Sequence, residues 1–549
     1  MLSTGSTTHP PPDVPASTQR LSDMDALRAF AMALGIVLHG VLSFFPYPWP
    51  AQDLRQNPLF YLLFAVVHGF RMPLFFLLSG FFTWRILQRR GAWGLARERA
   101  RRILLPLCVA AACLLPLDRL CTDFALRRTA EARTRGQSPL TRALLGNDSA
   151  GVDRALRDGA SLAENDTRLG LLPLAIAAAV GDPERVSQLM DAGADVRAHS
   201  QDGNTALHVA AFFGRDRVVT LLLARGADPR AVNRGGSTPQ ESGSSSRDFA
   251  LGLAQFLGMQ ITAETLDAGR DRAGAALRAA ETGGMADGRA TRSALERWVL
   301  GYERFFKSDQ FIVEAGGYRI PLLDPVGLDH LWFLWYLLVL GVLFLGVIRL
   351  GIVPTSGQIP LLVLATWGGQ FFMSSHFGPE LGGTLLPTPH SLIYYGAFFW
   401  AGAVFAVRSG TGGPTIPRWG VLILVGLVLL IPAGLASARH RLLTTALQAA
   451  YAWVVSLGLI GLFRRHGHHH PARTRWLAEA SYWMYLAHLP LVLCLQAVVV
   501  GWEVPSGLKF LGVVGLALAL LLVSYRWVIR PGPIGWLLNG RRDASTSVR

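Results

Sequence analysis

Long apolar runs recur along the chain, and ten of them are long enough to cross the roughly 30 Å hydrocarbon core of a membrane as helices. They lie at 27–45, 58–84, 103–120, 330–348, 359–375, 391–407, 419–436, 443–463, 477–499 and 508–529. This pattern predicts an all-α, polytopic membrane protein with about ten transmembrane helices. The composition agrees, because 51% of the residues are hydrophobic and only 16% are charged, against about 25% charged in soluble domains.

A stretch of ordinary soluble composition, residues 122–327, separates the third apolar segment from the fourth. It divides the membrane part into a first domain at 20–121, with three spans, and a second at 328–530, with seven. Residues 1–19 are polar and rich in Pro, Ser and Thr, which predicts a disordered tail rather than a cleaved signal peptide. Residues 531–549 are predicted to be a C-terminal tail.

The soluble insert repeats itself with a period of 33 residues, since Gly193-Ala-Asp195 returns as Gly226-Ala-Asp228. Such a period is typical of stacked helical repeats. The unit at 202–228 resembles an ankyrin repeat, and we expect an ankyrin array at about 142–259. Ankyrin-like repeats imply a surface for a protein partner or for an acceptor.

Basic residues concentrate in the short loop at 85–102, between the second and third segments. Short loops rich in Arg stay in the cytoplasm, so both termini are predicted to be cytoplasmic and the insert periplasmic. We expect an integral, multi-pass protein of a bacterial inner (plasma) membrane, in contact with membrane lipid. The net charge of +15 lies in such loops rather than on a groove-reading face, so no nucleic-acid partner is expected.

Two ionisable residues, Arg28 and His39, lie on nearly the same face of the first apolar segment, separated by roughly 16 Å of helix rise. An ionisable group inside a membrane segment is costly unless it faces a protein interior or an aqueous cavity, so it is functional by default. His39 is therefore predicted to handle protons in a membrane enzyme. The alternatives are that His39 bonds a neighbouring helix and that Arg28 is a snorkelling surface cation.

Five motifs spread over residues 20–120 and 320–530 together resemble the acyltransferase-3 family of integral membrane acyltransferases. They are Asp25-x-x-Arg28 with His39, the stretch Met72 to Phe82, Arg99-x-x-Arg102, His330-Leu-Trp332 with Tyr336, and Ser481 to Pro490. The His330 motif is most similar to the glucan-succinyltransferase-like branch. The resemblance implies transfer of an acyl group from a cytoplasmic acyl-CoA-type cosubstrate to a hydroxyl of an extracytoplasmic carbohydrate or glycolipid acceptor. No permanently bound cofactor is expected.

The resemblance also assigns roles. His39 would be the general base that takes the acceptor proton, and Arg28, about three turns below it, could hold Asp25 or an anionic part of the donor. Arg99 and Arg102 share a helix face where donor phosphates would arrive, and topogenic charge is the alternative reading. The acceptor-side candidates are His and Trp residues of the later spans, for which packing and the interfacial aromatic belt are the alternatives: His330, Trp332, His376, His390 and His488.

Two other functions stay open. A transporter of glycan or lipid would have related halves and spans broken at mid-membrane by Gly or Pro, and the sequence has no such halves. A membrane-anchored ankyrin interaction protein with an inactive acyltransferase domain is disfavoured by the intact Arg28, His39, Arg99 and Arg102.

The residues that bind metals or form disulfides give no further prediction. The loop at 466–470 carries four histidines but no carboxylate or Cys partner, so incidental metal affinity is the expectation and no metal site is predicted. The four cysteines have neither metal-type spacing nor an evident partner, so no disulfide framework is predicted: Cys108, Cys113, Cys121 and Cys494.

Overall fold

Helices dominate the protein. A computed structural model describes residues 22–45, 47, 49–135, 137–166, 170–234, 236–245, 250, 251, 253, 254, 257, 259, 261–282, 312–315, 318–321, 328–373, 377–380, 386–409, 415–437, 440–467 and 471–539. Within these ranges the only strands form a short antiparallel hairpin, β1 (Ile312–Ala315) with β2 (Tyr318–Pro321). The helical fold class is confirmed, with this hairpin as an addition.

The first part of the membrane domain is nearly continuous helix. It consists of α1 (Ser22–Val41), α2 (Leu59–Arg99) and α3 (Leu105–Thr134). A π-helical turn at Ala100–Leu104 joins α2 to α3 without a loop. Gly91 adopts φ +67°, a conformation that favours glycine, and interrupts the helical geometry of α2.

The insert is built from short helices that stack in pairs, closed by a longer one. They are α4 (Pro139–Leu145), α5 (Ser149–Arg157), α6 (Pro173–Val180), α7 (Pro183–Asp191), α8 (Ala206–Phe212), α9 (Asp216–Ala224), α10 (Pro239–Gly243) and α11 (Ala263–Thr282). The turn at Thr205 opens α8 with a capping box to His208, and Gly226 follows α9 with φ +85°. Arg270 of α11 donates to Phe212 O at 2.9 Å, which docks α11 against the array.

The second part of the membrane domain adds the remaining helices. They are α12 (Trp332–Arg349), α13 (Ile359–Phe371), α14 (Pro389–Ser409), α15 (Trp419–Leu424), α16 (Ile431–Ala436), α17 (Arg441–His466), α18 (Pro471–Val499), α19 (Ser506–Ser524) and α20 (Pro533–Asn539). Short 3-10 helices precede α12 and α13 at Asp329–Leu331 and Ser356–Gln358, and another follows α1 at Leu42–Phe44. π-helical turns at Val425–Leu430 and Tyr525–Ile529 join α15 to α16 and follow α19.

Eight helical stretches of the described residues are long and apolar enough to cross a membrane. The longest, Leu59–Ala132, has 74 residues, about 110 Å if straight, and contains the predicted segments at 58–84 and 103–120. The predicted segment at 359–375 forms only the 13-residue α13, about 20 Å long and too short to cross alone. The polytopic class is confirmed: the eight stretches contain nine of the ten predicted segments, because Leu59–Ala132 holds two of them.

Helices α2 and α14 touch through their backbones. A Cβ atom at Gly80 would overlap the carbonyl oxygen of Phe399, and one at Gly402 would overlap that of Leu77. Small residues allow this close approach, as they do in many membrane helix pairs. The Ser79-Gly80 step of the second motif is therefore a packing device.

Candidate active site

Three histidines from separate parts of the chain meet inside the membrane domain. His39 lies near the end of α1, His488 lies in α18, and His330 lies in the turn before α12. The ring centroids of His39 and His488 are 5.1 Å apart, and those of His488 and His330 are 5.0 Å apart. We call these three residues the histidine cluster.

The end of α1 fixes the place of His39. Gln496 of α18 donates through Nε2 to the carbonyl oxygens of His39 at 2.9 Å and Gly40 at 3.0 Å, which satisfies acceptors that a helix end leaves free. The Gln496 side-chain oxygen accepts from Trp49 Nε1 at 2.8 Å, and the Trp49 ring stacks on His39 at 5.6 Å. His39 is thus held by one neighbour and covered by another.

The other two histidines have defined hydrogen bonds. His488 Nδ1 lies 2.7 Å from Tyr485 O, and His330 Nε2 lies 2.9 Å from Leu486 O. A carbonyl oxygen only accepts, so these nitrogens carry the protons and the opposite ring nitrogens are acceptors. The Asp118 carboxylate lies 3.8 Å from His330 Nδ1.

Several buried polar atoms of the cluster have no hydrogen-bond partner within the described part of the chain. They are Nδ1 of His39, Nε2 of His488 and Nδ1 of His330. Buried polar groups are nearly always paired in folded proteins, so three such atoms in one place indicate a site for polar ligands.

Arg71 of α2 joins the cluster, and the sequence analysis did not select it. A Cβ atom at Gly35 would lie 2.5 Å from Arg71 Nη1 and 3.8 Å from His488 Nε2, so the guanidinium crosses α1 one turn before His39. Arg71 is buried and its Nε has no described hydrogen-bond partner. The rule that selected His39, an ionisable group inside an apolar segment, applies equally to Arg71.

A cavity of about 300 Å³ lies about one helical turn from the cluster, and no residue of the cluster lines it. Basic and acidic side chains line one part of it: Arg28, Glu98, Arg99 and Arg102. Apolar residues such as Met32, Phe75 and Phe333 line another part. Each of these three apolar residues lies one helical turn from a residue at the cluster. Phe75 follows Arg71, Phe333 follows His330, and Met32 precedes Gly35. The apolar part is therefore the end of the cavity nearer the cluster. We call this space the arginine cavity.

The predicted arginines have different surroundings at this cavity. Arg28 lies 3.5 Å from Asp25 and donates to Ala478 O at 3.3 Å. Arg99 donates to the Thr83 hydroxyl, and its buried Nε has no described partner. Arg102, in the π-helical turn and 52% exposed at its side chain, pairs with Glu98 at 2.7 Å. The structure thus brings Arg28, Arg99 and Arg102 to one cavity and forms the predicted contact with Asp25.

Two of the five acceptor-side candidates, His330 and His488, belong to the histidine cluster. Trp332 is 4% exposed, and its ring packs against Tyr336 at 5.3 Å and Tyr395 at 5.6 Å. His390 begins α14 and lies 3.0 Å from Glu380 Oε2. His376 lies outside the described residues.

Family comparison identifies the membrane part of the chain. Residues 21–127 and 294–526, more than half of the chain, match the acyltransferase-3 family, described as an acyltransferase domain. The chain therefore belongs to this family, and the prediction of a membrane acyltransferase is confirmed. Residues 129–233 match ankyrin repeats in three copies, which confirms the predicted repeat insert.

The curated relatives include glucans biosynthesis protein C from Escherichia coli. The proteins of strain SMS-3-5 / SECEC and of strain K12 are each 29% identical to this chain over 96 residues, which is 18% of this chain. The chain matches only 25% of the length of these relatives. The likeness agrees with the resemblance of the His330 motif to that branch.

Proposed function

We propose that the protein is a membrane O-acyltransferase that moves an acyl group from a cytoplasmic acyl-CoA-type donor to a hydroxyl of an extracytoplasmic carbohydrate or glycolipid. The observation that carries this proposal is the arginine cavity, which extends from three arginines to within one turn of the histidine cluster. No nucleic acid and no permanently bound cofactor take part.

The cavity suits an amphipathic donor with a phosphorylated head. Arg99 and Arg102 present guanidinium groups, which bind phosphate through charge-assisted, often bidentate hydrogen bonds. The apolar inner end, with Phe75 and Phe333 at a ring-centroid distance of 5.3 Å, would receive the acyl chain and the thioester. Arg28 adds a third positive charge at the basic end.

The cluster supplies the chemistry. His39 takes the proton of the acceptor hydroxyl while its oxygen attacks the thioester carbonyl carbon. The negative charge that develops on the carbonyl oxygen is stabilised by Arg71, a fixed cation in a water-poor site. The carbon–sulfur bond then breaks, the ester is released, and the thiolate leaves with a proton. His488 and His330, in ring contact with each other, are placed to carry that same proton from His39 to the departing thiolate.

The same geometry supports an orientation of the chain in the membrane. Asn539, near the end of the described chain, lines the arginine cavity with Arg28, which lies near its beginning. Both termini are therefore proposed to face the cytoplasm, in a bacterial inner membrane, with the donor entering from that side. Helix α3 begins next to Arg102 and leads away to the insert, which is proposed to be periplasmic and to bind a protein partner or the acceptor.

Replacement of His39 tests the function. Cells that produce His39→Ala are expected to lose acylation of their envelope glycans, measured by mass spectrometry at matched protein levels in the membrane. His440→Ala is the matched control because His440 is an exposed residue at the start of α17. Unchanged acylation in the His39→Ala cells would refute the assignment of His39.

A further inference from the structure

Two cysteines that are far apart in sequence lie side by side in the structure. Cys121 of α3 and Cys494 of α18 are separated by 373 positions, and their Sγ atoms are 2.9 Å apart. Both are free thiols. The expectation that no cysteine has a partner is thereby corrected, because sequence spacing does not report contacts between distant helices.

The pair lies beside the histidine cluster. Cys121 follows Asp118 by one helical turn, and Asp118 faces His330. Cys494 lies between His488 and Gln496 on α18, and Gln496 holds the end of α1. The two cysteines pack with Leu489, Leu493 and Trp49, the residue that covers His39.

The pair also lies on the far side of the cluster from the arginine cavity. The cavity is lined on α18 by Ala478, Ser481 and Tyr482, which precede His488, whereas Cys494 follows it. In the same direction, Trp49 packs against α3 and α18, and the turn at Gly501 contacts α3. In the orientation of the proposed function, on which this step rests, the pair belongs to the periplasmic half.

We propose that Cys121 and Cys494 form a disulfide bond that ties α3 to α18 above the active site. The oxidant is the disulfide of a periplasmic thiol oxidoreductase. One thiolate attacks that disulfide to give a mixed disulfide, and the second thiol displaces it, so that two protons and two electrons pass to the oxidoreductase as its dithiol. Such bonds persist in the periplasm, which is an oxidising compartment.

The bond secures the partners of the cluster. It fixes Asp118 against His330 and holds Trp49 and Gln496 over His39. It also anchors α3, the helix that carries the ankyrin insert, to the helix that carries His488. The other two cysteines, Cys108 and Cys113, are exposed on α3 and take no part.

Thiol counting in the full-length protein tests the proposal. In the Cys108→Ser/Cys113→Ser background, membranes are denatured in detergent and treated with a polyethylene-glycol maleimide, with and without prior reduction. We expect no mass addition without reductant and two additions after reduction. Removing Cys121 as well should give one addition under both conditions. Two additions without reductant, from cells with intact periplasmic oxidation, would overturn the disulfide.

A thermal measurement adds an independent readout. Reductant should lower the unfolding midpoint of the background protein by roughly 2–5 °C and leave the Cys121→Ser/Cys494→Ser form unchanged. An unchanged midpoint in both would contradict the bond. The background protein and its His39→Ala variant together separate the two proposals. Protected thiols in both, with acylation lost only in His39→Ala, support both proposals. Free thiols in both, with the same loss of acylation, refute the disulfide alone, and protected thiols with acylation unchanged in His39→Ala refute the function alone.

Discussion

Gly35→Ala places a methyl group at the point where Arg71 crosses α1. The new Cβ would lie 2.5 Å from Arg71 Nη1, whereas ordinary contact begins at 3.4 Å. The interior is close-packed, so the guanidinium must move by about 1 Å. The substitution therefore displaces the charge of Arg71 from the cluster without removing it.

The magnitude follows from that displacement. A misplacement of about 1 Å in an active site lowers the rate by up to about 100-fold, or about 2.7 kcal/mol of transition-state stabilisation. Folding should not suffer, because Ala is favoured over Gly inside a helix by about 0.5–1 kcal/mol. We expect kcat to fall by roughly 30–100-fold with the KM for the donor nearly unchanged, because the basic end of the arginine cavity is untouched.

The assay is acyl transfer by the purified protein in lipid nanodiscs, with the thermal unfolding midpoint measured in parallel. Gly515→Ala is the matched control, because a Cβ on this residue of α19 would meet no heavy atom within 4 Å. If Gly35→Ala transfers acyl groups as fast as Gly515→Ala, the placement of Arg71 does not matter and its proposed role is refuted.

Three further changes test other parts of the structure. Arg99→Gln should raise the donor KM by about 10-fold or more through loss of a charge-assisted hydrogen bond, measured by steady-state kinetics. Arg97 is exposed and lies outside the cavity, so Arg97→Gln should leave the donor KM unchanged. The buried Asp53 carboxylate lies 2.7 Å from Lys509 Nζ, and Lys509→Met leaves it without this cation. The free energy of unfolding should fall by about 3–5 kcal/mol, measured by thermal or denaturant unfolding. Burial lowers the pKa of His208 in the folded insert. As the pH falls, the unfolded insert therefore binds a proton at this residue before the folded insert does. The stability of the insert should fall as the pH drops below about 6.5, measured as faster proteolysis of the insert.

Each of these tests has a control or a contrary outcome. Equal donor KM values for the Arg99 and Arg97 variants would remove Arg99 from the donor site. Adding Asp53→Asn to Lys509→Met should restore part of the lost stability, and an unfolding midpoint that stays low would show that packing of the Lys509 chain matters more. The His208→Gln form should show a weaker pH effect on proteolysis, and an identical profile would assign the effect to other groups.

The sequence selected most residues of the candidate site but did not predict how they are arranged. His39, His330 and His488 stood out because ionisable or paired-motif histidines are rare in apolar segments. Their convergence depends on which helices pack together, and no single segment encodes that. Arg71 satisfied the same rule, since it is an ionisable residue inside the second apolar segment, directly before the Met72 motif.

The fold shows a similar division. Hydropathy predicted most spans because apolar content and length decide whether a helix can cross a membrane. It overestimated the segment at 359–375, because the helix ends at Phe371 while Phe372 and Met373 beyond it are still apolar. Backbone contacts such as Gly80 with Phe399 were equally invisible to hydropathy, since a glycine in an apolar run gives little signal.

The backbone contact between α2 and α14 has a consequence for synthesis. Phe399 is translated roughly 300 residues after Gly80, which takes roughly 15–60 s at a synthesis rate of roughly 5–20 residues per second. Throughout that interval α1 to α3 lie in the bilayer while the repeats are still being synthesised. Arg71 and His39 then lack most of the residues that contact them in the folded protein. Variants that slow the folding of the insert should therefore reduce the yield of enzyme, even though they leave every residue of the candidate active site intact.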